Sequence, residues 1–405
     1  MSEQCFYNGD KMNFDKIKSL ADEYLMPTYA HFPVTVESGK GATLNDIKGN
    51  EMIDFGAGIG VASLGYNNEN WLKAVTEQLC KVQHTSNLYY NSATAGFAEK
   101  LCKKTGFKKV FLSNSGAEAN ECAIKLARKY SFDKYGENRY NIISLVNSFH
   151  GRTLATVTAT GQEHYHKFFD PFVGGFKYVE SGDIKGFISA ADGTVCAVML
   201  EVIQGEGGVV PTDLEFLKTV RKICDEQDVL LIIDEVQTGV GRTGKFFAYE
   251  HSDIVPDVVT VAKGIGNGLP MGACLCNEKC TNVLTAGTHG STFGGNPVAC
   301  AGASVVLDTV DSEFLKSVTK KGEYIRERLL KLDEVKSVSG IGLMIGIELR
   351  TKKAADVAKK CSENGLLVLT AKEKLRMLPP LVITYDEIDR GLAILQKILT
   401  DEVKQ

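Results

Sequence analysis

The chain of 405 residues is 44% apolar and 24% charged, with 46 Lys and Arg against 50 Asp and Glu for a net charge of -4. This length suggests two or three compact units, and the balanced charge offers no basic field for nucleic acid or anionic lipid. No stretch nears the roughly 18 apolar residues of a membrane span, and the start, "MSEQCFYNGD", lacks a signal pattern, so we expect a cytoplasmic protein with small-molecule partners, no nucleic acid and no membrane.

In chain order, residues 1–64 read as strand and turn chemistry, most clearly in "VTVESGKGATLNDIKGNEMIDF". This segment could pack on either later unit and is placed with the smaller one. From 65 to 300, short β-branched runs alternate with amphipathic stretches, the pattern of an α/β domain with a mostly parallel sheet flanked by helices. Strands are expected at 109–113, 141–146, 195–202, 229–234, 258–262 and 272–276. Helices are expected in "GAEANECAIKLARKYSF" and "TDLEFLKTVRKICDEQ", the first opening on Ser115-x-x-Glu118, a capping-box spacing. From 301 to 405 a long helical stretch leads into "VKSVSGIGLMIGIELR" and "GLLVLTAKEKLRMLPPLVI", a smaller α+β domain.

Eleven cysteines, scattered from Cys5 to Cys361, read as reduced and mostly buried thiols. In "CLCNEKC" the period-two placement of Cys274 and Cys276 on one strand face explains the cluster without a metal, for which a fourth ligand is lacking. His164 and His166 read as loop histidines with no third ligand, so no metal site is expected.

Residues 230–247, "LLIIDEVQTGVGRTGKFF", hold fragments of two nucleotide motifs. A dinucleotide fold wants its glycines directly after a strand and opening a helix, but Glu235 to Thr238 intervene. A P-loop wants Ser or Thr after its lysine, where Phe246 stands, and it precedes its acidic strand. What survives is Asp234 at the end of an apolar strand, a common place for ligand contacts in α/β proteins.

Lys263 ends a second apolar run, "VVTVA", before the glycine-rich "GIGNGLPMG". A lysine there is costly unless it is exposed, paired or chemically used, and a solvent-reaching structural lysine fits as well as a Schiff-base one. Placed on the same sheet, Asp234 and Lys263 could address opposite ends of one pyridoxal phosphate ring, the carboxylate keeping the pyridine nitrogen protonated. Gln237 could reach the ring's phenolic oxygen, or be a loop amide. Ser115, Gly116 and Ala117 begin a helix whose free N–H groups favour an anion, and Ser115 serves equally as a plain N-cap. In "SFHGRT", Phe149 could stack on a ring and Arg152 grip a carboxylate. Glu206 in "QGEGG" and Arg376 in "KLRMLPPL" would pair across the domain boundary, or each be a solvated charge.

These motifs in this order, with "GAGIGVASLGY", "EVIQGEGGVVP" and "GSTFGGNPVAC", resemble the class III pyridoxal-phosphate aminotransferases of fold type I over nearly the whole chain. Within the class, "QHTSNLYY" and "THGSTFGGNP" look most like the acetylornithine-using members of arginine biosynthesis. The resemblance implies pyridoxal 5′-phosphate as cofactor, with Lys263 as the Schiff-base lysine, Asp234 on the pyridine nitrogen, Gln237 on the phenolic oxygen and Phe149 stacking. It gives Ser115, Gly116 and Ala117 as the phosphate cup. It implies a homodimer in which Thr292 reaches the phosphate of the neighbouring subunit, with Ser291 beside substrate. Arg152 matches the arginine for the distal carboxylate and Arg376 that for the α-carboxylate of glutamate or 2-oxoglutarate. Glu206 matches the acid that covers Arg376 when an ω-amino donor enters. The implied reaction moves the δ-amino group of acetylornithine to 2-oxoglutarate. Other ω-aminotransferases of the class, racemases or decarboxylases on the same fold, and a non-catalytic binding module are the alternatives. Residues separating donors are expected around "GIGVAS" and "HTSNLYY".

Overall fold

The computed structural model describes residues 12–400, so the start of the chain and Cys5 lie outside the described residues. All six expected strands form within one residue or two of their expected ends and lie in a single seven-stranded sheet. Its order is Lys109–Ser113, Gly272–Cys276, Val258–Val261, Leu230–Asp234, Val195–Leu200, Asn141–Leu145 and Phe176–Val179. Gly272–Cys276 runs antiparallel to both of its neighbours, while the pairs from Val258–Val261 to the far edge are parallel. The central strands are buried along their whole length, as expected where helices cover both faces of a parallel sheet. Phe176–Val179 was not expected: it is a short edge strand with only Val179 buried, flanked by Gly175 and Gly182.

The capping-box spacing does mark a helix start. Gly116–Tyr135 begins at Ser115, whose Oγ accepts from Glu118 N at 3.2 Å, while Glu118 Oε2 accepts from Asn114 N at 2.9 Å. The reciprocal bond therefore falls one residue earlier than the usual box and ties down the strand-to-helix turn.

The C-terminal part folds as an antiparallel sheet of Val335–Ile341, Met344–Leu349, Lys374–Met377 and Leu369–Ala371. Helices Ser312–Leu329, Ala354–Glu363 and Tyr385–Thr400 share its apolar core. The N-terminal strands Ser38–Lys40, Thr43–Asn45 and Glu51–Asp54 form a meander whose last strand pairs in parallel with Leu366–Leu367. Helix Pro297–Thr309 packs instead on Glu69–Leu79 and Ser92–Thr105.

The glycine run at 239–244 serves this junction. Arg242 is 2% exposed and its Nη1 donates to Leu343 O at 3.2 Å and Pro379 O at 2.5 Å, while Leu343 N donates to Arg242 O at 3.0 Å. A Cβ on Gly342 would stand 2.6 Å from the Thr243 carbonyl carbon, so backbone meets backbone here with no room for a side chain. Cys274 and Cys276 are buried free thiols, and no cluster of His, Cys, Asp or Glu among the described residues could hold a metal ion. No helix among those residues is long and apolar enough to cross a membrane.

Candidate active site

The carboxyl ends of the parallel strands open into a cavity of about 400 Å³. Asp234, the last residue of its strand, pairs in register with Thr260, and Lys263 follows three residues later on the neighbouring strand's exit. Both line the cavity, with Ser115, Gly116, Ala117, Phe149, Arg152 and Gln237. Lys263 has φ +48°, a left-handed conformation that a lysine adopts only where its surroundings impose it.

Asp234 is 4% exposed and held from three sides. Asn120 Nδ2 donates to its Oδ2 at 2.8 Å, His150 Nδ1 stands 2.8 Å from the same oxygen, and Val236 N donates to Oδ1 at 3.0 Å. Asn120 also donates to His150 O at 2.8 Å, locking the histidine loop to the helix. An ionised carboxylate has about four lone-pair positions, and three are taken here, leaving Oδ1 able to accept one further donor.

Glu201 lies below this cluster, accepting Phe149 N at 2.9 Å and Gly205 N at 3.0 Å. Burial pushes its carboxyl up to about 7, against the pull of His150. One side chain thus ties the loop bearing Phe149 and Arg152 to the loop bearing Glu206.

Burial lowers the Lys263 amine to about 8, with Glu206 opposing and Arg376 adding to the effect. Among the described residues its Nζ takes part in no hydrogen bond or salt bridge. Across the cavity, the first N–H groups of the helix from Gly116 lack intrahelical acceptors, and Ser115 Oγ caps only that of Glu118. A Cβ on Gly116 would meet Val236 Cγ1 at 2.6 Å, so glycine is what lets this turn sit against the strand exit.

Behind Gln237, a charged pair crosses between units. Arg376, 3% exposed and in the strand Lys374–Met377, donates from Nη1 to Glu206 Oε1 at 2.6 Å and to Gln237 Oε1 at 3.2 Å. Gln237 Nε2 donates in turn to Glu206 Oε1 at 3.2 Å. Burial pushes the Glu206 carboxyl up, but the Arg376 guanidinium more than offsets this and holds it below the usual range. Glu206 sits in the turn that joins the paired strands Ile203–Gln204 and Val210–Pro211, so the loop its glycines suggested is closed at its base. Neither charge is solvated in the way that its sequence neighbourhood alone allows.

Thr292 is exposed and outside the cavity, and Ser291 Oγ instead accepts from Asn114 Nδ2 at 3.2 Å and Gly294 N at 3.0 Å. Of the two stretches expected to separate donors, Val61 of "GIGVAS" lines the cavity. Residues 84–90 do not, because Asn87 Nδ2 anchors them outside it, on Ser291 O and Gly294 O. Asn120 and Glu201 were not anticipated. Their only sequence signal is an amide and an acid standing at otherwise apolar positions of a helix and a strand.

The Aminotransferase class-III family matches residues 24–399. The acetylornithine aminotransferase of Haemophilus ducreyi is 50% identical over 392 residues, covering 96% of this chain and 100% of that one. That of Aquifex aeolicus is 48% identical over 378 residues, covering 93% and 100%. Among solved structures, the ornithine aminotransferase of Toxoplasma gondii superposes with a TM-score of 0.91 at 32% identity, covering 96% and 95%. The N-acetylornithine aminotransferase of Stenotrophomonas maltophilia does so with 0.81 at 38% identity, covering 94% and 97%. The fold is that of the type I pyridoxal-phosphate enzymes. The chain belongs to the class III aminotransferases, which use pyridoxal 5′-phosphate.

Proposed function

We propose that this chain moves the δ-amino group of N2-acetyl-L-ornithine to 2-oxoglutarate, giving N-acetyl-L-glutamate 5-semialdehyde and L-glutamate in a ping-pong exchange. Support comes from the curated relatives, of 42–50% identity, whose shared name is acetylornithine aminotransferase. The observation that carries the reading is the Arg376–Glu206 pair with Gln237 joined to both.

The residues present fit the cofactor. Asp234 has a free lone pair for a protonated pyridine nitrogen, Lys263 an unpaired amine for the covalent tether, and the helix start at Ser115, Gly116 and Ala117 unpaired N–H groups for a phosphate. Phe149 would stack on the ring and Gln237 meet its phenolic oxygen. When bound, the group supplies an electron sink for the carbon that loses its proton. Asn120, His150 and Val236 fix the Asp234 carboxyl where that sink needs it. Lys263 Nζ, held at about 8, exchanges a proton with the substrate carbon at near-neutral pH.

Arg152 takes the carboxylate far from the reacting carbon, which acetylornithine and 2-oxoglutarate both possess. Arg376 takes the near carboxylate, which only 2-oxoglutarate and glutamate possess. With acetylornithine, an apolar chain would face Arg376, and Glu206 then offsets the cost of that buried charge. We infer that the large domain supplies the cofactor wall and that the C-terminal domain, joined by the N-terminal strands, brings Arg376 to Gln237.

We also infer a cytoplasmic homodimer in which Thr292 completes the phosphate site of the partner. Around Thr292 the surface is apolar, with Leu88 and Phe293 mostly exposed and His84 against the Phe293 ring at 5.3 Å. Side-by-side specificity constants for acetylornithine, ornithine and 4-aminobutyrate test the donor. A preference for ornithine or 4-aminobutyrate would refute the substrate while leaving the class intact.

A further inference from the structure

Arg152 stands exposed at the cavity rim, yet among the described residues it makes no hydrogen bond or ion pair. Its guanidinium carbon lies 4.0 Å from the centroid of the Tyr165 ring and 5.6 Å from that of Phe149. The two rings meet edge to face at 5.6 Å and 70°. Arg152 is therefore bounded by two aromatic groups, of which Tyr165 is the nearer.

Tyr165 is itself fixed to the loop that carries Arg152. It closes the single turn Glu163–Tyr165, and both flanks of that turn are anchored. Gln162 Nε2 donates to Ser148 O at 3.0 Å, immediately before Phe149. His166 Nε2 lies 2.9 Å from Val157 O, in the helix Leu154–Ala159 that follows Arg152. Upstream, Asn147 N donates to Gly161 O at 2.7 Å. Burial raises the Tyr165 phenol, with Arg152 and Arg376 drawing it down and Glu206 pushing it up, so all three charged groups are close enough to act on it.

An arginine free at a surface loses rotamer entropy when it grips a ligand, and a guanidinium laid on an aromatic face has already lost part of it. We propose that Tyr165 is a positioning residue: its ring is the shelf that holds the Arg152 fork facing the cavity, ready for the distal carboxylate of either substrate. The inference rests on the assignment of Arg152 to that carboxylate made above, which the test examines separately.

The test compares kcat/KM of the holoenzyme for 2-oxoglutarate and for pyruvate, an oxoacid with no distal carboxylate. Arg152→Ala should reduce the preference for 2-oxoglutarate on the order of 10- to 100-fold. Tyr165→Leu should reduce it about fivefold through KM, with kcat little changed, and Tyr165→Phe, which keeps the ring face, should match the wild type. In Arg152→Ala/Tyr165→Leu the second change should add nothing, because its effect passes through the first. If Arg152→Ala leaves the preference unchanged, the carboxylate assignment fails, and this inference with it. If Arg152→Ala lowers the preference but Tyr165→Leu does not, the shelf is refuted and the assignment stands. Additive losses in the double variant, an equal loss in Tyr165→Phe, or a kcat drop shared by both oxoacids would likewise overturn the positioning role.

Discussion

The two ends of the site, Asp234 lining the cavity and the Arg376–Glu206 pair behind Gln237, neutralise buried charge in different ways. Asp234 is surrounded by donors from one domain: Asn120 of a helix, His150 of a loop, and Val236 of its own strand exit. Those partners are themselves bonded or packed, and nothing that enters the cavity needs to displace them. Arg376 and Glu206 come from parts of the chain 170 residues apart, and the Glu206 side chain keeps 23% of its exposure. A carboxylate on a ligand can take the place of Glu206, whereas no ligand group can take the place of Asn120. The fixed end suits a resident cofactor, and the exchangeable end suits two alternating substrates.

Between the two ends lies Lys263, and its removal has the largest expected effect. Lys263→Ala should lower turnover by about 10⁴-fold and abolish the visible absorbance of the lysine-tethered cofactor, read by spectrophotometry and steady-state assay. Wild-type turnover in that variant would leave both ends without a common chemistry. The fixed end comes next. Asp234→Ala should cost roughly 10²- to 10³-fold in kcat with either substrate, since it removes a charge used whichever substrate is bound. A loss confined to one half-reaction would break the distinction between the ends.

Glu206→Gln should separate them further. Arg376 then lacks a carboxylate partner when an ω-amino donor is bound, so kcat/KM for acetylornithine should fall by about tenfold or more, while that for 2-oxoglutarate holds or rises. Stopped-flow measurement of each half-reaction checks this. Equal losses in both would mean that Glu206 is part of a fixed wall like the one around Asp234.

The fixed end was partly legible in the sequence, because an acid or a lysine at the tip of an apolar strand stands out against its neighbours. The six main strands were legible for the same reason, being β-branched runs between turn residues. The partners of Asp234 were not, since Asn120 lies 114 residues away within an amphipathic helix where a single amide looks ordinary. Glu201 fell inside the expected strand 195–202, and only the return of two loops upon it reveals two accepted N–H groups. Glu206 and Arg376 gave weaker local signals that left a pair and two solvated charges both open, and the family resemblance favoured the pair. Phe176–Val179 was missed because an edge strand needs little apolar patterning. In "HTSNLYY" residues that separate donors were expected, but the exposure of Leu88, Tyr89 and Tyr90 places the stretch on the surface of the single chain.

The smallest expected effect is on the stability of the cofactor-free protein. Burial lowers Lys263 from the ordinary 10.5 to about 8. Between about 8 and about 10.4, where the unfolded chain titrates, the unfolded state binds more protons than the folded one, so this group makes stability rise with pH across that window. Below about 8 the penalty is fully present, and at about 1.4 kcal/mol per pKa unit it has a ceiling of about 3 kcal/mol. The buried thiols Cys196, Cys224 and Cys300, pushed up to about 12, give the opposite slope once the unfolded chain begins to ionise near 8.5. The difference between wild type and Lys263→Met therefore isolates the amine, since the thiols are common to both. The methionine variant should be more stable at pH 7 by about 1–3 kcal/mol, and the gap should close toward pH 10.5 in urea titrations at stepped pH. A gap that stays constant with pH would mean that Glu206 and Asp234 fully compensate the buried ammonium. In that case the two ends of the site would act on Lys263 as one electrostatic unit.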